Sequence, residues 1–155
     1  MSMNRLLCSA VVTALLASAV AVPAEPTAKE LMKARHDHYH ELGDAFKVVR
    51  DQSKAGKPDL AAIKTAAKEV NDAAMSQEKW FPAGTGPETG KTQALATIWN
   101  KPTEFKAAMK LFSDAAPKLY AAANAEDLDA VKSSFGEVGK ACKNCHETFR
   151  AEEHD

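Results

Sequence analysis

In the last third of the chain, Leu128, Val131, Phe135, Val138, Cys142, Cys145 and Phe149 recur at unbroken steps of three and four residues. That spacing keeps one stripe on one face of an α-helix, because positions i, i+3, i+4 and i+7 share a side. A half-buried strand would need strict alternation, which the segment lacks. A helix of about six turns with such a stripe must bury it against partners. Both cysteines fall on the stripe.

Three further segments supply partners. From Thr27 to Ser53, Leu31, Arg35, Tyr39, Leu42, Phe46 and Val49 follow one face. Thr27 with Glu30 three residues on reads as a capping box, and "KAGKP" ends the helix. A second helix starts near Pro58, a residue tolerated in a first turn, with Leu60, Ile63, Ala67, Val70 and Ala74 as its seam. A third starts after Pro102 with Thr103 as cap, and its seam is Phe105, Met109, Phe112, Ala116 and Leu119. Pro117 should kink it. The last helix begins near Asn124–Asp127, acidic at the positive end of its dipole. Between the second and third, "WFPAGTGPETGKT" packs two prolines and three glycines into Trp80–Thr92. This reads as a crossover loop, with a short helical turn near Leu95–Trp99. Aromatics are only 6% of the chain, so the core is built from small and aliphatic side chains that let helices approach closely. The expectation is an all-α chain, an antiparallel four-helix bundle with any cofactor in its core and near the end of the last helix.

Residues 1–24 stand apart. Arg5 is followed by an uncharged run from Leu6 to Val22, and Val22-Pro23-Ala24 fits a signal-peptidase site. The run is rich in alanine and serine and shorter than the ~20 apolar residues a membrane span needs. A secretory leader cleaved after Ala24 is expected, with Cys8 leaving in it and residues 25–155 forming the bundle in the periplasm. Loss of Arg5 raises the acidic excess from one to two, and no basic block suggests nucleic acid. No later segment is apolar for long enough to span a membrane.

Cys142-Lys143-Asn144-Cys145-His146 is a C-x-x-C-H sequence, the attachment signature of a c-type haem. On a helix, positions i, i+3 and i+4 share a face. Cys142 and Cys145 can therefore bond to two vinyl groups on one porphyrin edge while His146 reaches the iron. A structural zinc shell needs four ligands, and no second cysteine pair exists. A thioredoxin-like dithiol belongs with a βα unit, and a disulfide across i, i+3 of a helix would be strained. One covalently bound haem c, with its iron, is the expected cofactor, and His146 the expected metal ligand.

These residues give the chain a family resemblance. It resembles cytochrome c′ and its class II relatives: "FGEVGKACKNCHETFR" looks like that family's last helix, "FPAGTGPETG" followed by "IW" like its crossover loop, and "ARHDHYHELGDAF" like its first helix. The resemblance implies thioether anchors at Cys142 and Cys145, a proximal ligand at His146, and Arg35 near the haem propionates. It also implies Arg150 on the proximal side and Thr85 as a crossover-loop contact, with Gly86 where that family often has Glu. Tyr39 occupies the position where the family has an apolar distal Leu or Met, so methionine ligation from there is not available. His36 joins Tyr39 among the expected cofactor contacts, although His36 and His40 also suit a solvated helix face.

For function, the resemblance implies a five-coordinate iron that binds nitric oxide or carbon monoxide, electron exchange with redox partner proteins, and a homodimer formed through the first two helices. Tyr39 can cover the haem, donate a hydrogen bond to a bound molecule, or ligate iron as phenolate. His38 flanks the core stripe and is a second candidate sixth ligand, which would make a six-coordinate electron carrier. A peroxidase-type enzyme would need a positioned distal acid–base pair. The expected role is binding and redox, not enzymatic. Trp80, Phe81 and Trp99 are candidates for the haem edge, whereas Phe105 and Phe135 suit the bundle core.

Overall fold

The computed structural model describes residues 25–152, so the expected leader lies outside the described residues. Five helices form: α1 (Ala28–Lys54), α2 (Leu60–Ser76), α3 (Thr97–Asn100), α4 (Pro102–Asn124) and α5 (Leu128–Phe149). A 3-10 turn, Gln77–Trp80, extends α2. The four long helices make the bundle, and α3 is the expected short turn in the crossover. Among the described residues the only β feature is an isolated antiparallel bridge between Ala94 and Arg150.

Local chemistry sets the helix ends. At α1, Thr27 Oγ1 accepts from the Glu30 amide at 3.3 Å, and Glu30 Oε2 accepts from the Thr27 amide at 2.7 Å. This is the expected capping box. At α2 the cap is Asp59, one residue past Pro58, with its carboxylate accepting from the Ala62 amide at 3.0 Å. Thr103 does not cap α4. Pro102 is already its first residue, where a missing N–H costs nothing, and Lys101 precedes it without a side-chain cap. α4 then runs on through Pro117, which lies on an exposed face. At α5 the Asp127 carboxylate accepts from the amides of Asp129 and Ala130. The turn from α4 is a Schellman motif: Asp127 N–H reaches the Ala122 carbonyl, Glu126 N–H reaches that of Ala123, and Glu126 takes a left-handed φ of 56°.

The seams pack as their spacing requires. Val49, Ile63, Val70, Ala116, Leu119, Val131 and Val138 are all almost fully buried in one core shared by α1, α2, α4 and α5. Burying each Val, Leu or Ile contributes about 1.5–3 kcal/mol. Buried alanines at 66, 67, 74, 115, 116, 122 and 123 let α2 and α4 approach closely. A smaller cluster of Ile98, Phe105, Ala108, Met109 and Phe149 sits under the crossover. α4 packs broadly on both α5 and α2, and α2 on α1, but α1 and α5 meet over little of their length. The bundle is therefore parted along that side.

Candidate functional site

The parting between α1 and α5 is a cleft of about 1320 Å³. Pockets for small ligands usually span about 300–1,000 Å³, so a flat macrocycle has room here. α1 contributes Arg35, Tyr39 and Phe46; α4 contributes Phe105, Met109 and Phe112; α5 contributes Cys142, Cys145 and His146; and the loop supplies Thr89 to Ala94. The wall is largely apolar, with charged groups such as Lys33, Lys91, Lys143 and Glu147 along it.

Cys142 and Cys145 are both free and half-buried. Cys142 packs against the main core and Cys145 against the smaller cluster, so the pair straddles the junction at the cleft wall. Burial pushes the Cys142 thiol up, and burial together with the neighbouring Cys142 pushes Cys145 up to about 11. At neutral pH both are protonated thiols. His146 is open to the cleft, yet the protein packed behind it, and secondarily the charge of Arg150, lower its pKa. A neutral imidazole has a lone pair to give a metal. Among the described residues, no group of three or more His, Cys, Asp or Glu could close around a bare ion, so the zinc alternative has no shell.

Arg35 supplies an independent test of what the cleft suits. The residue is only 4% exposed. It donates to Thr85 Oγ1 at 2.9 Å, the Thr85 carbonyl at 2.7 Å, Thr92 Oγ1 at 3.2 Å and the Trp80 carbonyl at 3.4 Å. It lies 4.9 Å from the centroid of Phe81 and 5.7 Å from that of Trp99. Every one of these partners is neutral, and burial lowers the Arg35 pKa. A buried cation without a counter-ion is costly, so a cleft-lining guanidinium in this state suits a ligand that brings a carboxylate. Haem, with its propionates, is such a ligand, and the residues present fit it.

Thr85 was expected to touch the cofactor. It is fully buried and does not line the cleft. Its hydroxyl donates to the Pro82 carbonyl at 2.8 Å while accepting from Arg35, so its contact with the site runs through Arg35. Arg150 does line the cleft. Its Nε donates to Gln93 Oε1 at 3.0 Å, and the bridge to Ala94 pins the crossover loop to the end of α5, next to His146.

The histidines sort by helix register. His38 projects to the α2 side and stacks on Trp80, with centroids 4.8 Å apart. It does not line the cleft, which removes the geometry needed for a sixth ligand from that position. His36 and His40 do line it, at an exposed rim, each with Nδ1 facing a carboxylate, Asp37 and Asp44 respectively. Of the aromatics, Phe81, Phe105 and Phe46 face the cleft, and Phe135 stacks on Phe46 at 4.0 Å against the main core.

Tyr39 faces the cleft from α1, edge-on to Trp80 at 5.1 Å. Burial pushes its pKa far up; the cysteines add to this and Arg35 opposes it. The phenol is neutral, and its hydroxyl donates to Gln77 Oε1 at 3.3 Å. Sequence reading missed Gln77. The signal was there: position 77 continues the seam Leu60, Ile63, Ala67, Val70, Ala74 by one further step of three, and an amide on an apolar seam asks for a partner.

Comparison with known proteins matches this geometry. A family profile described as Cytochrome C′ matches residues 30–150. The chain is 36% identical over 125 residues to cytochrome c′ of Pararhodospirillum photometricum, covering 79% of this chain and 91% of that one. It superposes with TM-score 0.72 on a carbon monoxide-bound variant of cytochrome c′ from Alcaligenes xylosoxidans, 29% identical, covering 81% of this chain and 98% of that one. A nitric oxide complex of another variant of the same protein gives TM-score 0.71 at 28% identity, covering 84% of this chain and 100% of that one.

Proposed function

Given that this chain belongs to the cytochrome c′ family, whose members carry a covalently bound haem c with iron, we propose that it is a periplasmic mono-haem protein that binds nitric oxide or carbon monoxide. Electron exchange with redox partner proteins accompanies that role. The observation that carries the reading is the shared cleft: Cys142, Cys145 and His146 line it from α5, and Tyr39 lines it from α1. Bound there, the haem supplies a redox-active metal with a coordination position for a small molecule.

The chain's own residues divide the remaining work. Cys142 and Cys145 hold the cofactor through thioethers, and His146 offers one axial nitrogen. Arg35 pairs with a carboxylate of the ligand while Thr85 fixes its fork. Arg150 holds the loop against the proximal end of α5. Tyr39 and the apolar groups beside it keep the distal side closed to bulk water, and His36 stands at the rim. The Tyr39 hydroxyl is held by Gln77 Oε1, which favours an open sixth position over the six-coordinate alternative in which Tyr39 ligates as phenolate. We place the role in binding and redox rather than peroxidase catalysis, since the rim histidines are exposed at the mouth of the cleft and not positioned within it.

Export fits the attachment chemistry, and among the described residues no helix is long and apolar enough to cross a membrane. A homodimer through α1 and α2 is part of the proposal. Val48 is 39% exposed beside a groove lined by Ala45, Ala61, Ala62 and Ala66, small residues that allow close helix approach.

The deciding experiment is expression with export and a working haem-attachment apparatus. The expected product is coloured, with a mass of polypeptide plus one haem, a high-spin spectrum, and a shift on adding carbon monoxide or nitric oxide. A low-spin ferrous spectrum indifferent to both gases would defeat the gas-binding reading.

A further inference from the structure

Beside Tyr39 lies a buried polar arrangement that haem attachment does not use. Gln77 is 5% exposed, sits in the 3-10 turn after α2 and lines the cleft. Its Nε2 donates to the Met109 carbonyl at 3.4 Å, while its Oε1 accepts from the Tyr39 hydroxyl at 3.3 Å. The Met109 carbonyl can only accept, so it fixes which end of the amide faces it. The oxygen end is thereby turned to Tyr39. A phenol has one proton and two lone pairs.

We propose that Gln77 is the positioning residue that decides what Tyr39 presents to a diatomic ligand in the cleft: with Gln77 in place, an oxygen lone pair and not a proton. This rests on the gas-binding reading above. A ligand that needs a hydrogen bond must draw the Tyr39 proton from Gln77 and leave a buried amide oxygen unpaired, which is costly. A ligand that needs none enters without that cost. The amide thus biases the site against hydrogen-bond-accepting ligands, although a tyrosine at the same place would otherwise favour them.

The test uses the haem-loaded protein and three variants: Gln77→Met, Gln77→Glu, and Gln77→Met combined with Tyr39→Phe. Methionine keeps the length and apolar fit while offering only a weak acceptor. A buried neutral glutamic acid keeps the carbonyl for Tyr39 and a donor for Met109. The infrared C–O stretch of the ferrous carbon monoxide complex should fall in Gln77→Met, as the freed phenol donates to the gas. Carbon monoxide dissociation should slow by roughly two- to tenfold, the span of one net hydrogen bond. Gln77→Glu should restore the wild-type stretch, and the double variant should abolish the fall. An unchanged stretch in Gln77→Met, or a fall that survives removal of the phenol, overturns the proposal. The phenol vibration supplies a gas-free readout. Tyr39 and Tyr120 are the only tyrosines, so Tyr39→Phe isolates the Tyr39 band in ultraviolet resonance Raman. That band should leave its donor position in Gln77→Met and keep it in Gln77→Glu. If no carbon monoxide binds, the gas-binding reading fails alone, and a Tyr39 band unmoved by Gln77→Met sinks the role of Gln77.

Discussion

Arg35 grips Thr85 twice, through the hydroxyl at 2.9 Å and through the carbonyl at 2.7 Å, across fifty residues of sequence. One guanidinium thereby joins α1, about two turns from its start, to the crossover loop and faces the cleft at the same time.

Thr85→Val removes the hydroxyl while keeping the shape. It leaves one Arg35 N–H short of a partner, while the Pro82 carbonyl keeps the bond from Trp99 Nε1 at 3.2 Å. The expected loss is about 1–3 kcal/mol of unfolding free energy, read by urea denaturation, the range for unsatisfied buried polar groups. Arg35→Lys should also destabilise, because a single ammonium cannot reproduce the fork. Neutral stability in both variants would mean that the clasp is ornamental.

Attachment separates by residue. Cys142→Ala or Cys145→Ala should leave haem held by one thioether, and the double variant should lose it under denaturing conditions, as mass spectrometry reports. His146→Ala should keep the covalent mass and lose the native Soret band, because tethering and ligation are separate jobs.

Tyr39 makes stability fall in alkali. Burial raises its folded-state pKa above the ordinary 10.0, and that cause persists when the cysteines become thioethers and their charge contribution vanishes. The folded chain keeps the phenolic proton where the unfolded chain releases it. The stabilisation is therefore complete below about pH 10 and is lost as pH rises beyond it, by up to about 1.4 kcal/mol per pH unit. Denaturation curves of Tyr39→Phe should lack this component. Matching alkaline slopes in the two proteins would contradict it.

Glu126 is the one non-glycine residue with positive φ among those described. Its left-handed conformation costs an L-residue about 1–2 kcal/mol, partly offset in glycine by greater chain entropy. Glu126→Gly should therefore raise stability by about 0.5–1 kcal/mol in thermal or chemical unfolding. Asp127→Ala, one residue on, should lower it by about 1 kcal/mol through loss of the α5 cap.

The α5 stripe and the seams of α1, α2 and α4 were legible because helical period and burial are local properties of spacing: Val131, Val138, Ile63 and Leu119 were placed inward by position alone. The pentapeptide Cys142 to His146 was equally legible, since its chemistry lies within about one turn of helix. The α2 cap fell at Asp59, one residue past Pro58, and the α4 cap position at Lys101, two before the expected Thr103, where neighbouring polar and proline signals compete. Of the histidines, only His38 was misplaced: it drew attention by lying near the stripe, but the side of α1 that opens depends on where α5 stands.

Sequence spacing thus determined four helices, their buried faces, and two cysteines on one of those faces with a histidine beside them. Only the tertiary structure decided that α1 and α5 part to form the cleft, that Arg35 is buried without a counter-ion among the described residues, and that Gln77 holds the Tyr39 hydroxyl. The reason is one of range. A helix face is set by neighbours three and four residues away, whereas each of those three relationships joins segments more than thirty residues apart, through packing that no local pattern encodes.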